Sequence, residues 1–245
     1  MAINKNSTSY ILAFSVILIT VTALLLSSLS INLKAPQKQN VENEKRIFIL
    51  SAAGEFTIEE AGKKSQSEIS QIFDSKIKSY VIDAKGKVIE GEKAFNLDVV
   101  REFKLTSKNP EKRKYALFTY TLADGSEKYI IPMAGNGLWG PVWSYVALKS
   151  DKNTIDGIVF DHKSETPGLG AEITQKWFRD AFVNSPKQIL DEKGVYKSIS
   201  LVKGGVKNPN HEVDAIAGST ITSKGVSSML KENFYPYMLY WEKIK

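Results

Sequence analysis

Between Lys5 and Lys34 the chain carries no charged residue, and Tyr10 to Leu33 is built mainly of Ile, Leu, Val, Ala and Phe. A run of this length and hydropathy is ample for one membrane-spanning helix. A cleaved signal peptide has a short apolar centre and a small-residue cleavage site. Here the run is longer and passes into "SINLKAPQ" without an A-x-A pattern, so residues 1–34 are expected to remain as an anchor held in membrane lipid. Orientation is less constrained. Lys5 and the α-amino group precede the span, whereas Lys34, Lys38, Lys45 and Arg46 follow it, and a literal positive-inside count leans toward a cytoplasmic C-terminal side. That count is a weak vote, because the following domain is long.

Beyond the span, "APQKQNVENEKR" reads as a polar linker entering a helical stretch, Val41 to Ala53, and "TIEEAGKKSQSEISQIFDSKI" continues with helix-like apolar spacing. Strand-like pairs follow. "SYVID" and "KVIEG" flank a turn at Gly86, and "YALFTYTL" and "EKYIIPM" flank Ala123-Asp124-Gly125-Ser126, an Asp-Gly hairpin signal. "WSYVAL" and "TIDGIVFDH" come next, then "ETPGLG", an amphipathic helix "AEITQKWFRDAFV", a strand "YKSISLVKG" and a last helix from about Thr222 to Trp241. A meander of antiparallel strands with interspersed helices predicts an α+β fold. The expected division is an anchor over 1–34, a linker and helical stretch over 35–76, and an α+β domain over 77–245.

Composition removes several function classes. There is no cysteine among the 245 residues, which excludes disulfides, thiolate-held zinc and cysteine-ligated iron–sulfur clusters within the chain. Two histidines, His162 and His211, without H-x-x-x-H spacing make a poor metal site, so none is expected. No G-x-S-x-G elbow supports a hydrolase triad. A net charge of +6, with both signs interspersed, is too diffuse to call for nucleic acid.

"MAGNGLWGPVWSYVAL" contains Gly135, Gly137 and Gly140 at the spacing of a dinucleotide fingerprint. That fingerprint works only where the glycines close a strand and open a helix that holds a pyrophosphate. The residues after Gly140 are aromatic and β-branched, so a second strand follows and the glycines form a strand-to-strand loop with Leu138 and Trp139 at its tip.

Two other stretches are rich in glycine and hydroxyl residues. In "HKSETPGLGAEI", Pro167 fixes the backbone, and Gly168 and Gly170 remove side chains ahead of a predicted helix, which would let a flat ligand approach the main chain. An ordinary strand-to-helix turn capped near Thr166 explains the same residues. In "DAIAGSTITSKGV", Gly218, Ser219, Thr220 and Thr222 stand at the head of the C-terminal helix, where capping accounts for one or two hydroxyls and a phosphate would also be stabilised. A P-loop is excluded because no G-K-[ST] ending follows.

"DAIAGSTITS" resembles the D-x-x-[ST]-G-A-T element of the covalent FMN-binding domain family found in sodium-translocating NADH:quinone oxidoreductases and in the related Rnf ferredoxin:NAD complexes. "ETPGLG" resembles the companion element of the same domains, and "GNGLWG" resembles the G-x-G-L-W segment of the sodium-translocating branch, whereas the Rnf branch typically lacks the Leu-Trp pair. Ala217 departs from the usual Ser or Thr, and Ser219 from the usual Ala. Aligned on Gly218, the resemblance implies FMN esterified through its phosphate to Thr220, with Gly218 and Ser219 beside it.

It further implies a ring site at Glu165, Thr166, Gly168 and Leu169, and Trp139 against the flavin or a neighbouring protein of the complex. A helix beginning ahead of Ala171 would favour the anionic reduced flavin. No catalytic residue of its own is implied: the chain would relay electrons in a bacterial inner-membrane complex whose other subunits oxidise NADH and reduce quinone. A separate flavin transferase acting on FAD would load it, and the domain would lie outside the cytoplasm, against the charge count. The alternatives are the G subunit of an Rnf-type complex, or an anchored interaction domain without redox chemistry whose motifs are caps and turns.

Overall fold

The computed structural model describes residues 7–244, and the chain divides into two compact units with the boundary after Lys45. The long helix α1, Thr8–Ala53, is, among the described residues, the one helix long and apolar enough to cross a membrane. Helix continues where the polarity of "APQKQNVENEKR" predicts a linker, with Pro36 inside it. Gln, Lys and Glu are good helix formers, and Lys38 and Glu42 stand one turn apart with 3.9 Å between their charged atoms. Polarity was the wrong signal for a break.

The second unit is organised by a five-stranded antiparallel meander: β1 Ile77–Asp83, β2 Lys114–Thr121, β3 Glu127–Asn136, β4 Pro141–Leu148 and β5 Ile155–His162, in that spatial order. Covered on both faces, its central strands are buried almost continuously, which is why "YALFTYTL" and "PVWSYVAL" read as mainly apolar runs without regular alternation, broken only by Thr119, Thr121 and Ser144. On one face Val81, Phe118, Ile130 and Tyr145 pack with Ile49 and Leu50 of α1 and with Ile69 and Phe73 of α3, Gln66–Lys76. The short helix α2, Ile58–Ala61, and α3 both begin with reciprocal capping boxes, Thr57 with Glu60 and Ser65 with Glu68. On the other face Leu117, Ile131, Val146 and Phe160 pack with Phe178 and Phe182 and with Phe234 and Tyr237.

At four places the structure departs from or adds to the reading of the sequence. "KVIEG" forms no strand beyond an isolated bridge of Val88 to Ile82, because Asp83 accepts the N–H groups of Lys85 and Lys87 and closes a tight turn. An unforeseen helix, α4 Val99–Leu105, begins at Asp98, whose carboxylate accepts from Val100 and Arg101. "AEITQKWFRDAFV" is not one helix: Gly170–Thr174 is a 3₁₀ turn, Gln175 is extended, and α5 runs only from Lys176 to Val183. In the fourth, "YKSISLVKG" yields just β6 Ser200–Val202, which pairs in parallel with β7 Glu212–Asp214 in a separate small sheet. Ser198, at φ 63, turns the chain there and shortens the strand.

The C-terminal helix α6, Thr220–Lys243, is held against the sheet by its own side chains. Asn233 donates to the Ala134 carbonyl of β3 and Tyr237 to the Ala116 carbonyl of β2, which bolts the helix in place. Near its start, a Cβ on Gly225 would fall 1.9 Å from the Asn136 carbonyl. Only glycine lets α6 come that close to the end of β3.

Candidate functional site

Three segments distant in sequence converge at the head of α6. The loop between β3 and β4 closes with the Gly137 N–H donating to the Gly140 carbonyl at 2.7 Å, a strand-to-strand connection as its residues predict. It presents Leu138 and Trp139, both exposed. The turn after β5 brings Glu165, Thr166, Leu169 and Gly170, and the start of α6 brings Gly218 through Thr222. Together these segments line a cleft of about 190 Å³.

Glu165 stands at the junction, 5% exposed. Its Oε1 accepts from the Trp139 N–H at 2.8 Å, and its Oε2 accepts from the Thr222 hydroxyl at 2.6 Å. Its own N–H donates to His162 Nδ1 at 3.1 Å, which fixes the imidazole proton on the other nitrogen. The carboxylate fits because its neighbours lack side chains: a Cβ on Gly137 would lie 2.5 Å from Oε1, and one on Gly170 would lie 2.1 Å from Oε2. Nearby at the end of β5, Asp161 has its carboxyl raised above the ordinary value by burial, partly offset by the bond it accepts from the His162 N–H.

The hydroxyls at the head of α6 separate by environment. Ser219 occupies the N-cap position but makes no side-chain capping bond, so no side chain closes the first turn of this 24-residue helix. Thr222 is buried and engaged with Glu165. Thr220 is half-buried on the cleft wall, and among the described residues its hydroxyl has no partner. Gly218 beside it holds φ at +74, and a Cβ there would meet Leu169 Cδ2 at 2.8 Å. An uncapped helix N-terminus, a free hydroxyl and a residue without a side chain suit a phosphate ester. Leu138, Trp139, Leu169 and Ile221 offer apolar surface for a flat ring. The residues therefore fit FMN.

Of the residues singled out in the sequence, Trp139, Glu165, Thr166, Leu169, Gly218, Ser219 and Thr220 come together on this cleft. Gly168 does not line it. It occupies the adjoining turn at φ +75, with its N–H donating to Glu172. The expected helix N-terminus ahead of Ala171 is absent, because that stretch is a five-residue 3₁₀ turn, so the helix end at the cleft belongs to α6. Gly170, Thr222 and Leu138, noted in the sequence within their stretches but not assigned to the flavin site, line the cleft as well, and Ile221 was not singled out at all. The signal for Thr222 lay in helical spacing: Thr222, Val226, Met229 and Asn233 recur at three and four residues and all face inward. Among the described residues, no group of His, Asp or Glu could hold a metal ion.

The model of the FMN-binding domain family matches residues 137–233, a span that holds all three converging segments. The chain is 31% identical to the C subunit of the Na(+)-translocating NADH-quinone reductase of Vibrio anguillarum, over 92% of this chain and 90% of that one. It is 29% identical to the protein of the same name from Pseudomonas aeruginosa, over 93% and 91%. Among solved structures, that of the same C subunit from Parabacteroides distasonis is similar at a TM-score of 0.71 and 38% identity, covering 85% of this chain and 96% of that one.

Proposed function

The chain belongs to the family formed by the C subunit of Na(+)-translocating NADH-quinone reductases, and we propose from that premise that it carries FMN on Thr220, as a phosphoester, within such a membrane complex. The chain is an FMN-binding oxidoreductase subunit of a sodium-translocating NADH:quinone reductase. Its Leu138-Trp139 pair agrees with this branch and not with the Rnf branch.

The observation that carries the assignment of Thr220 is its free hydroxyl on the cleft wall, between a glycine at positive φ and an uncapped helix N-terminus. Gly218 leaves room for the phosphate, and the first-turn N–H groups of α6 and its dipole stabilise the phosphate charge. Leu169 and Trp139 would offer the ring apolar surface, and Glu165 and Thr166 would border it. Bound there, FMN would supply the electron-transfer chemistry that no side chain of this protein provides. An unaided threonine hydroxyl is a poor nucleophile, so a separate flavin transferase would make the ester: the Thr220 oxygen loses its proton and attacks the FMN phosphorus of FAD, the pyrophosphate bond breaks, and AMP leaves. The remaining subunits of the complex exchange electrons with this one. α1 anchors the chain in the bacterial inner membrane, with the second unit on the outer side.

The test is fluorescence of the polypeptide in a denaturing gel after expression with the transferase. Thr220→Ala abolishes it, and Ser219→Ala, which restores the family's usual residue, retains it. Losing the Thr220 hydroxyl breaks no bond in the fold, so the variant folds and inserts. Fluorescence that persists in Thr220→Ala, or a wild-type protein that never fluoresces, overturns the assignment.

A further inference from the structure

The cleft has one charged residue in its lining, and it is an anion. Glu165 is buried behind the walls that its two carboxylate oxygens tie together. Both bonds, from the Trp139 N–H and the Thr222 hydroxyl, are ones that an ionised carboxylate accepts. Lys163, two residues away, is exposed beside Gly140 and lines no part of the cleft. The remaining lining is apolar or hydroxylic, so the charge is weakly screened and acts strongly on any charge placed near it.

From this geometry we infer that Glu165 is a positioning residue that also sets the electrochemistry of the site: it clamps the Trp139 loop to the first turn of α6 and lowers the midpoint potential of the bound flavin. This rests on the reading that FMN occupies the cleft. Reduction adds negative charge to a flavin, and a fixed buried carboxylate opposes that charge. The α6 dipole acts in the other direction, but its positive end is taken up by the phosphate. The clamp explains why glycine stands at both Gly137 and Gly170, since a side chain at either would strike a carboxylate oxygen.

Two isosteric variants separate charge from shape. Glu165→Gln keeps an oxygen for the Trp139 N–H and a polar group for Thr222 while removing the charge. It raises the flavin midpoint potential by about tenfold in the one-electron equilibrium, about 59 mV. Thr222→Val keeps the charge and removes one donor that offsets it, so the potential falls below wild type. A potential in Glu165→Gln equal to or below that of wild type overturns the electrostatic role, as does a raised or unchanged potential in Thr222→Val, and the second arm decides alone if the first variant does not fold. The clamp is read without flavin, in protein made without the transferase: hydrogen exchange at the Trp139 amide is at least tenfold faster in Glu165→Ala and unchanged in Glu165→Gln. Equal exchange in wild type and Glu165→Ala overturns the clamp. A wild-type protein that takes up no flavin overturns the attachment reading, and the potential with it, while the exchange result still decides the clamp.

Discussion

Two threonines two residues apart at the head of α6 illustrate how position on one helical turn sets chemical fate. The Thr222 hydroxyl points into the protein and is spent on Glu165, whereas that of Thr220 is unpartnered and reaches the cleft. The glycines around them differ in the same way. Gly168 has positive φ and open space, with nothing within 4 Å of an added Cβ, whereas Gly170 is buried against Glu165 and Thr222. Gly168→Ala therefore carries only the backbone penalty of the left-handed region, about 1–2 kcal/mol, and the protein still takes up flavin. Gly170→Ala forces a methyl onto a carboxylate oxygen and overpacks the junction, a penalty of about 1–3 kcal/mol, and uptake falls as the cleft walls separate. Thermal melts of the flavin-free proteins, set beside in-gel fluorescence, distinguish the two. Equal uptake in both variants would mean that the junction does not shape the site.

At the scale of elements, the meander was legible because each strand carries its own signal and the Asp124-Gly125 turn sets one hairpin directly. What was not legible is convergence. The Glu165–Thr222 bond spans 57 positions, and no local pattern in either stretch reveals that the other completes it. Each motif alone is explained by caps and turns, and only the packing of α6 on β3 makes them one site. A second long-range tie has a pH signature. Glu55, just past α1, accepts two bonds from Lys76 at the end of α3 and one from the Tyr120 hydroxyl of β2. Burial raises its carboxyl, but Lys76 and Tyr120 outweigh burial and leave it below the ordinary value of 4.5. Stability from a carboxylate depressed in the folded state is fully present above its unfolded pKa and is lost as pH falls through the folded one. The wild type is accordingly more stable than Glu55→Gln at neutral pH, and the gap narrows as pH drops below about 4.5. Denaturant unfolding of the flavin-free protein across that range measures it, and a gap independent of pH would show that the tie acts through shape alone.

For the whole molecule, two physical arguments compete over which side of the membrane receives the second unit. The positive-inside count places Lys34, Lys38, Lys45 and Arg46 on the cytoplasmic side. Yet that rule governs short loops close to the span, and long domains translocate largely regardless of charge. Here the second unit runs from Arg46 to Lys245, and acidic Glu42 and Glu44 sit among the basic residues that precede it. Lys38 is already offset in part by Glu42, its neighbour one turn on. Under the proposed function, electron exchange with partner subunits also calls for the cleft to lie on one fixed side. Protease added to intact spheroplasts should degrade the protein from about Val41 onward while a cytoplasmic marker survives. The membrane fraction should then retain a fragment that begins at the N-terminus, because an uncleaved anchor stays in the bilayer. Full protection until lysis would place the second unit inside and make the charge count the better guide; digestion outside with no retained fragment would mean that the apolar run is removed from the mature chain.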